Sequence, residues 1–494
     1  MNAEVEEVEE SEADLSKIDR MGTAPMTKLL IQYSLPSIAG LIVVALYGLV
    51  DGIFIGIGVG DAGIAATAVS MPFMTITMAL NTLIGNGGNI LSSIRLGEGK
   101  HAEAERSLGN TVALMFVAYV LVLCICLPLI DPILVISGAT SACYDYAKTY
   151  MAIMIIGFIF NGLSGGIGNF IRTAGSPNVQ MGLMIFASLA NIVFDYFAVI
   201  VFQWGIAGAA WATVLSQIIA TILTLWFFAR KKATIRLRLK YMKFKGAMVK
   251  DILRIGLAGF FMNALMAITS ILVNQLLLHY GDMDAITGTG ALAAFGASGR
   301  VQNIIFQIIV GISAAAQPIL GYNYGAGLLR RLKSCFWTSS NIGFVGLLIV
   351  TVIVEVWPYP LLTLFNLSPE VFGFAAYTLR VMTCLLPLAA YGIISSTYFM
   401  ATNQALKANI LVLLRQIFLL VPIMILCPIV LPMMFGISPV GSILWAYPIV
   451  DAISTTISMI VMSRDLKKLN ARIANGEDAI DREAALETEN IAAA

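Results

Sequence analysis

Apolar residues run through this chain in long blocks, separated by short stretches that carry Gly, Pro and nearly all of the charge. About 20 apolar residues in helical form cross the hydrocarbon core of a bilayer, whereas the strands of a membrane barrel alternate apolar with polar positions. The blocks here do not alternate. They predict spans over about 28–56, 64–94, 107–130, 147–171, 179–201 and 205–229, then 251–278, 290–320, 335–358, 373–398, 405–430 and 440–463. The expected fold is an all-α polytopic membrane protein of twelve transmembrane helices.

Composition agrees with that pattern. The chain has 494 residues, of which 59% are hydrophobic and 12% charged, and a mean hydropathy of +0.86, outside the range of soluble domains. A net charge of +1 gives no reason to expect a nucleic-acid partner; the bilayer is the expected surroundings. The cysteines Cys124, Cys126, Cys143, Cys335, Cys384 and Cys427 fall mostly within apolar runs without metal-ligand spacing. The only histidines, His101 and His279, fall at predicted loops, so no histidine metal site and no cofactor are expected. The opening MNAEVEEVEESEADLSKIDR is acidic and lacks the basic flank and short apolar core of a signal peptide.

Lys and Arg set the orientation, because the loops rich in them stay in the cytoplasm. The connection after the sixth span carries nine basic residues from Arg230 to Lys250 and no acidic one. Arg95, Lys100 and Arg106, then Arg330, Arg331 and Lys333, then Arg464, Lys467 and Lys468 fall on the same side. Asp61, Asp131, Asp145, Asp282, Asp284 and Glu370 fall on the other. Both termini are therefore predicted to be cytoplasmic, in a multi-pass protein of the cell (inner) membrane.

The basic connection lies near the middle of the chain and separates two similar halves. GNGGNILSSIRLGEG (85–99) lines up with GISAAAQPILGYNYG (311–325), FIRTAGSPN with YFMATNQAL, and GIAGAAWA with GISPVGSILWA, in the same order. Two six-helix lobes related by a pseudo-two-fold repeat are one known way of building a transporter. The expected organisation is an acidic tail over 1–25, an N-lobe over 26–229, a basic linker over 230–250, a C-lobe over 251–463 and a second tail over 464–494. Since one chain holds both lobes, a monomer is expected to suffice.

A few polar groups break the apolar blocks. Asp51 lies near the outer end of the first predicted span, Asp195 near the outer end of the fifth, and Thr213 just inside the sixth. At ~1.5 Å per residue all three sit roughly 10 Å below the outer surface. Asn191 and Asp195 are four residues apart and share a helix face. A carboxylate inside a membrane helix is costly unless it faces a cavity or a partner. Two carboxylates, an amide oxygen and a hydroxyl are hard oxygen donors that can hold Na⁺, and two adjacent carboxylates in a low dielectric can instead share a proton. Pro36 permits a kink in the first helix, and Tyr47 lies one turn before Asp51 on the same face.

At these residues the chain resembles the multidrug and toxic compound extrusion (MATE) transporters, of the superfamily that also holds polysaccharide and lipid-linked oligosaccharide flippases. The resemblance covers about residues 25–465 and rests on LYGLVDGIFIG, FIRTAGSPN, NIVFD and WAT. It is strongest towards the DinF-like and MepA-like branch. There it implies an N-lobe cation site at Asp51, Asn191, Asp195 and Thr213, a kink proline at Pro36 and a cavity tyrosine at Tyr47. A C-lobe site of the kind built on glutamates of the seventh helix is not implied, because ILRIGLAGFFMNALMAITSILVNQLLL has no carboxylate. Arg380, Arg415 and Asp451 occur within or near C-lobe spans, and Asp451 is expected to pair with Arg415 structurally.

The activity implied is secondary active export of amphiphilic or cationic small molecules, in antiport with Na⁺ or H⁺, by alternating access. A flippase of lipid-linked sugars, which would need a strongly cationic cavity for pyrophosphate, is the rival within transport. An intramembrane enzyme is a weaker rival, since the spans contain no HExxH, GxSxG or paired-aspartate protease motif.

Overall fold

The computed structural model describes residues 19–137, 139, 143–230, 234–281, 283–284, 286–363 and 369–480. Asp282, most of the acidic opening segment and the end of the second tail lie outside the described residues. Among those described the chain is helical, with no strand. Ten helices are long and apolar enough to cross a membrane, and two bent helix pairs bring the total to twelve when each pair is one span.

In chain order the elements are α1 (Met26–Val59), α2 (Asp61–Asn81), α3 (Gly87–Gly97), α4 (His101–Cys126), α5 (Ile130–Ile136), α6 (Tyr144–Thr173), α7 (Pro177–Asp195) and α8 (Gly205–Ala229). There follow α9 (Gly246–Gly281), α10 (Gly288–Gly325), α11 (Leu329–Val356), α12 (Pro358–Leu362), α13 (Pro369–Thr383) and α14 (Leu386–Ala401). The last are α15 (Ala405–Leu413), α16 (Val421–Phe435), α17 (Pro439–Leu444) and α18 (Ala446–Ala474).

Several helices outrun the predicted spans on the basic side. α4 begins at His101, α9 at Gly246, and α18 continues to Ala474. The reason is local: Leu466 and Leu469 beyond the last span are buried, so the helical face keeps packing after the chain has left the apolar layer. His101 and His279 lie in helix ends, not in loops.

Three wider π-turns interrupt the helices, at Thr82–Asn86 between α2 and α3, at Tyr196–Val201 after α7, and at Leu414–Leu420 between α15 and α16. A π-turn inserts a residue into the ladder and rotates the helix beyond it. Two of the three adjoin the charged positions Asp195 and Arg415.

By packing, the chain divides into one unit of residues 1–263 and 318–327 and a second of residues 264–317 and 328–494. Both divisions fall inside helices or at their ends, at Asn263 in α9 and around the close of α10. The first unit holds α1 against α7 and α6 against α8. Its core contains Leu108, Met115, Tyr119, Phe158, Phe170 and Phe228. The first part of α9 belongs to it because glycines allow backbone to meet backbone: a Cβ on Gly256 would run into the Leu83 carbonyl, and one on Gly87 into that of Ile252. In the second unit α11 packs on α14 and α14 on α18, beside a core that includes Val273, Leu277, Met424, Ile443 and Val450.

Candidate cation-binding site

The first unit brings Asp51, Asn191, Asp195 and Thr213 together. Asp51 lies eight residues before the end of α1 and Thr213 eight residues after the start of α8, which at 1.5 Å per residue is about 12 Å from each of those helix ends. Asn191 and Asp195 occupy the last turns of α7, on the face that Ser188 also shares. Asp195 is fully buried and Asn191 nearly so, with Thr213 close behind; Asp51 is half-buried.

The Asn191 amide donates from Nδ2 to the Thr213 hydroxyl at 3.3 Å. That bond fixes which end of the amide is left over: the carbonyl oxygen. Asn191 Oδ1, both oxygens of Asp195 and Oδ1 of Asp51 are buried without a hydrogen-bond donor. The Asp51 and Asp195 carboxyls are electrostatic neighbours. Carboxylates only accept, so the two can bond only when one of them carries a proton.

Buried acceptors without donors are costly, and a cluster of four is a demand for positive charge. A dehydrated Na⁺ coordinated by the carboxylates, the Asn191 carbonyl and the Thr213 hydroxyl would satisfy it, and so would a proton held between Asp51 and Asp195. No group of three or more His, Cys, Asp or Glu among the described residues could hold a metal ion. The amide and the hydroxyl are thus needed to complete a ligand set, which is hard-oxygen chemistry.

Tyr47 stands within electrostatic reach of both carboxylates. So does Tyr150 of α6, which is buried and which the sequence pattern does not single out: a tyrosine in an apolar helix reads as packing, and only the tertiary fold places it near these carboxylates.

Pro36 lies inside α1 and is buried. The next residue, Ser37, donates to the Tyr33 carbonyl at 2.8 Å and accepts from Arg172 Nη1 at 3.3 Å. Arg172, in the FIRTAGSPN segment, is buried near the end of α6, where it also bonds Asn169. Its guanidinium therefore ties α6 to the residue after the proline.

In the second unit, Arg415 donates to Asp451 Oδ1 from Nη2 at 2.8 Å and from Nε at 3.2 Å. This two-pronged contact leaves Asp451 with its charge compensated by a neighbouring span. Arg380 bonds the Glu355 carbonyl at 3.0 Å, with the Glu355 carboxylate 3.9 Å away. No cluster of unpartnered acceptors like that around Asp195 occurs among the described residues of this unit.

A bundle of spans with charge-demanding oxygens buried in one lobe defines a membrane transporter rather than an enzyme. The chain belongs to the MatE family, whose model matches residues 36–197 and 255–426, and is a transporter of the multidrug-extrusion type. It is 26% identical over 435 residues to the multidrug export protein MepA of Staphylococcus haemolyticus, across 88% of this chain and 93% of that protein. Among solved structures it is similar to the MATE multidrug transporter DinF-BH in complex with rhodamine 6G, with 31% identity, a TM-score of 0.80, and coverage of 90% of this chain and 97% of the other. An outward-facing multidrug resistance MATE transporter of the MOP superfamily shares the fold, with a TM-score of 0.85 at 22% identity over 92% and 98% of the two chains.

Proposed function

We propose that this protein exports amphiphilic or cationic organic compounds by alternating access, driven by inward movement of Na⁺ or H⁺ bound at Asp51, Asn191, Asp195 and Thr213. The observation that carries the coupling is the set of buried acceptor oxygens at Asp51, Asn191 and Asp195 without donors. A cation entering from outside finds them about 12 Å below the outer helix ends and gains about 2.3 kcal/mol per 100 mV of membrane potential when it crosses. Loading halves the negative charge of the Asp51–Asp195 pair and so changes what α1 and α7 gain by staying together. The ligand shifts the conformational equilibrium only by its different affinity for the two states.

Charge polarity at the site supports an exporter of cations over a flippase of pyrophosphate-linked sugars. Two carboxylates with Asn191, Thr213, Tyr47 and Tyr150 offer no basic side chain to a phosphate, and Arg172 is engaged with Ser37 and Asn169. The protein is proposed to work as a monomer in the cell membrane with both termini in the cytoplasm and to need no cofactor beyond the coupling ion.

The test uses rhodamine 6G, the compound held by DinF-BH in its solved complex. In proteoliposomes, an imposed Na⁺ or pH gradient is expected to drive transport of the dye, and the effective gradient identifies the ion. Asp195→Asn is expected to abolish gradient-driven transport while leaving dye binding in place. Full gradient-driven transport by that variant would overturn the assignment.

A further inference from the structure

The connection between α8 and α9 is not a free linker. After α8 the chain doubles back, with the Leu237 N–H donating to the Phe228 carbonyl at 3.0 Å. The Glu105 carboxylate of α4 then accepts from the Arg236 N–H at 3.2 Å and pairs with Arg238 Nε at 2.9 Å. Asn110 grips the next stretch from both ends of its amide, donating to the Tyr241 carbonyl at 3.0 Å and accepting from the Lys245 N–H at 3.0 Å. The Arg106 guanidinium stands 5.2 Å from the centre of the Tyr241 ring. The strap thus lies along α4 from Glu105 to Asn110.

Those positions fix its depth. They are four and nine residues past His101, the first residue of α4, so the strap runs from about 6 to about 13 Å along the helix axis. It ends where the apolar run of α4 begins, at Thr111 and Val112, the level at which a helix entering the hydrocarbon core passes the headgroups.

The outward side of the strap mixes charge with large apolar groups. Leu239 is 83% exposed and Phe244 54% exposed. Between and beside them Lys240, Lys243 and Lys245 are exposed as well. Trp226, in the last turns of α8, is exposed with the Arg230 guanidinium stacked over its ring. No Asp or Glu occurs from 230 to 250. The nearest acidic residue in sequence, Asp251, lies in the surroundings of Arg95. A surface for a soluble partner has no use for large apolar side chains at headgroup depth, whereas an interfacial one does.

We propose that the strap over residues 237–245 is a binding surface for anionic phospholipid headgroups, with Lys240, Lys243 and Lys245 meeting the phosphates and Leu239 and Phe244 entering the acyl boundary. Topology signalling needs only the number of positive charges; it does not need them fastened to α4 with apolar anchors between them. The strap holds the lysines at one level, so that a headgroup meets several at once.

The test is native mass spectrometry of the full chain in detergent, titrated with equal amounts of phosphatidylglycerol and phosphatidylcholine. The wild type is expected to retain phosphatidylglycerol preferentially, and the preference to weaken as salt is raised. Replacing the three lysines by Gln is expected to weaken phosphatidylglycerol binding about fivefold per lysine, whereas replacing them by Arg preserves it. Leu239→Ser with Phe244→Ser is expected to weaken binding while leaving its salt dependence unchanged. Equal retention of the two lipids by the wild type, a preference indifferent to salt, or an undiminished preference in the Gln variant overturns the proposal. Should the Gln variant unfold, the wild-type salt titration decides by itself.

Discussion

Asn191 matters for the oxygen its amide leaves over as much as for the bond it makes. Because Nδ2 is held by the Thr213 hydroxyl at 3.3 Å, Oδ1 is left as a buried acceptor without a donor. Thr213→Ala removes both a proposed ligand oxygen and that anchor. A hydrogen bond of this kind contributes about 1 kcal/mol, so the concentration of coupling ion for half-maximal dye efflux is expected to rise roughly fivefold or more, with little change in the maximal rate. An unchanged ion dependence would remove Thr213 from the site. Outside the membrane layer, Glu98 carries a separate prediction. Burial pushes its carboxyl up, but hydrogen bonds from Lys100 and Arg95, at 2.9 and 2.8 Å, outweigh this and hold it below the usual carboxylate range. A depressed carboxyl stabilises the fold above its unfolded value and loses that contribution as the pH falls through the folded one. The melting temperature in detergent should therefore drop on acidification between about pH 5 and pH 3, and Glu98→Gln should flatten that part of the curve. The carboxylates of the site were legible from sequence because a charge within an apolar run is too costly to stand there without a role. Tyr150 was not, since a buried aromatic hydroxyl resembles ordinary packing until the fold brings it within electrostatic reach of Asp51 and Asp195.

At the level of helices, two of the π-turns lie at charged residues. One follows Asp195 after α7 and another, between α15 and α16, contains Arg415. The two packing units place a π-turn beside polar groups of different kinds: in the first the buried oxygens lack donors, and in the second Arg415 and Asp451 satisfy each other. Breaking the latter pair leaves a charge uncompensated, because Asp451 is buried. Arg415→Met is expected to cost about 2 to 3 kcal/mol, at the low end of such losses since the Arg415 side chain is 30% exposed. Asp451→Leu in the same chain should recover most of it, measured as thermal unfolding in detergent. Failure of the double variant to recover would mean that Asp451 has a role beyond pairing. No pattern of residue types announces a π-turn, so these were not legible beforehand. Nor was the burial of Arg172, a consequence of α6 continuing to Thr173 beside the proline of α1.

For the whole molecule, two consequences can be measured. Gly256 meets the Leu83 carbonyl with no room for a Cβ, and backbone cannot give way as a flexible side chain can. Gly256→Val is expected to lower stability by about 3 kcal/mol or more, read from the unfolding midpoint; a variant as stable as the wild type would mean that the start of α9 is not held in the first unit as tightly as this contact implies. The orientation is tested with a membrane-impermeant maleimide on chains carrying Lys243→Cys or Glu370→Cys in a background with the native cysteines replaced by Ser. Labelling from outside intact cells is expected at Glu370→Cys only. Reaction of Lys243→Cys from outside would reverse the topology and with it the direction of cation entry.

Hydropathy alone determined the membrane class, the helical fold and the order of spans, because a bilayer punishes every unsatisfied backbone group and leaves the helix as the solution for long apolar runs. Helix periodicity likewise put Asn191 and Asp195 on one face. Tertiary packing decided the rest. It set Asp51 and Thr213 beside that face, paired Arg415 with Asp451, drew the first part of α9 into the first unit through glycine contacts, and fastened the basic connection to Glu105 and Asn110. Each of these depends on which helices are neighbours, and that choice is made by close packing between segments far apart in sequence, which no local pattern encodes.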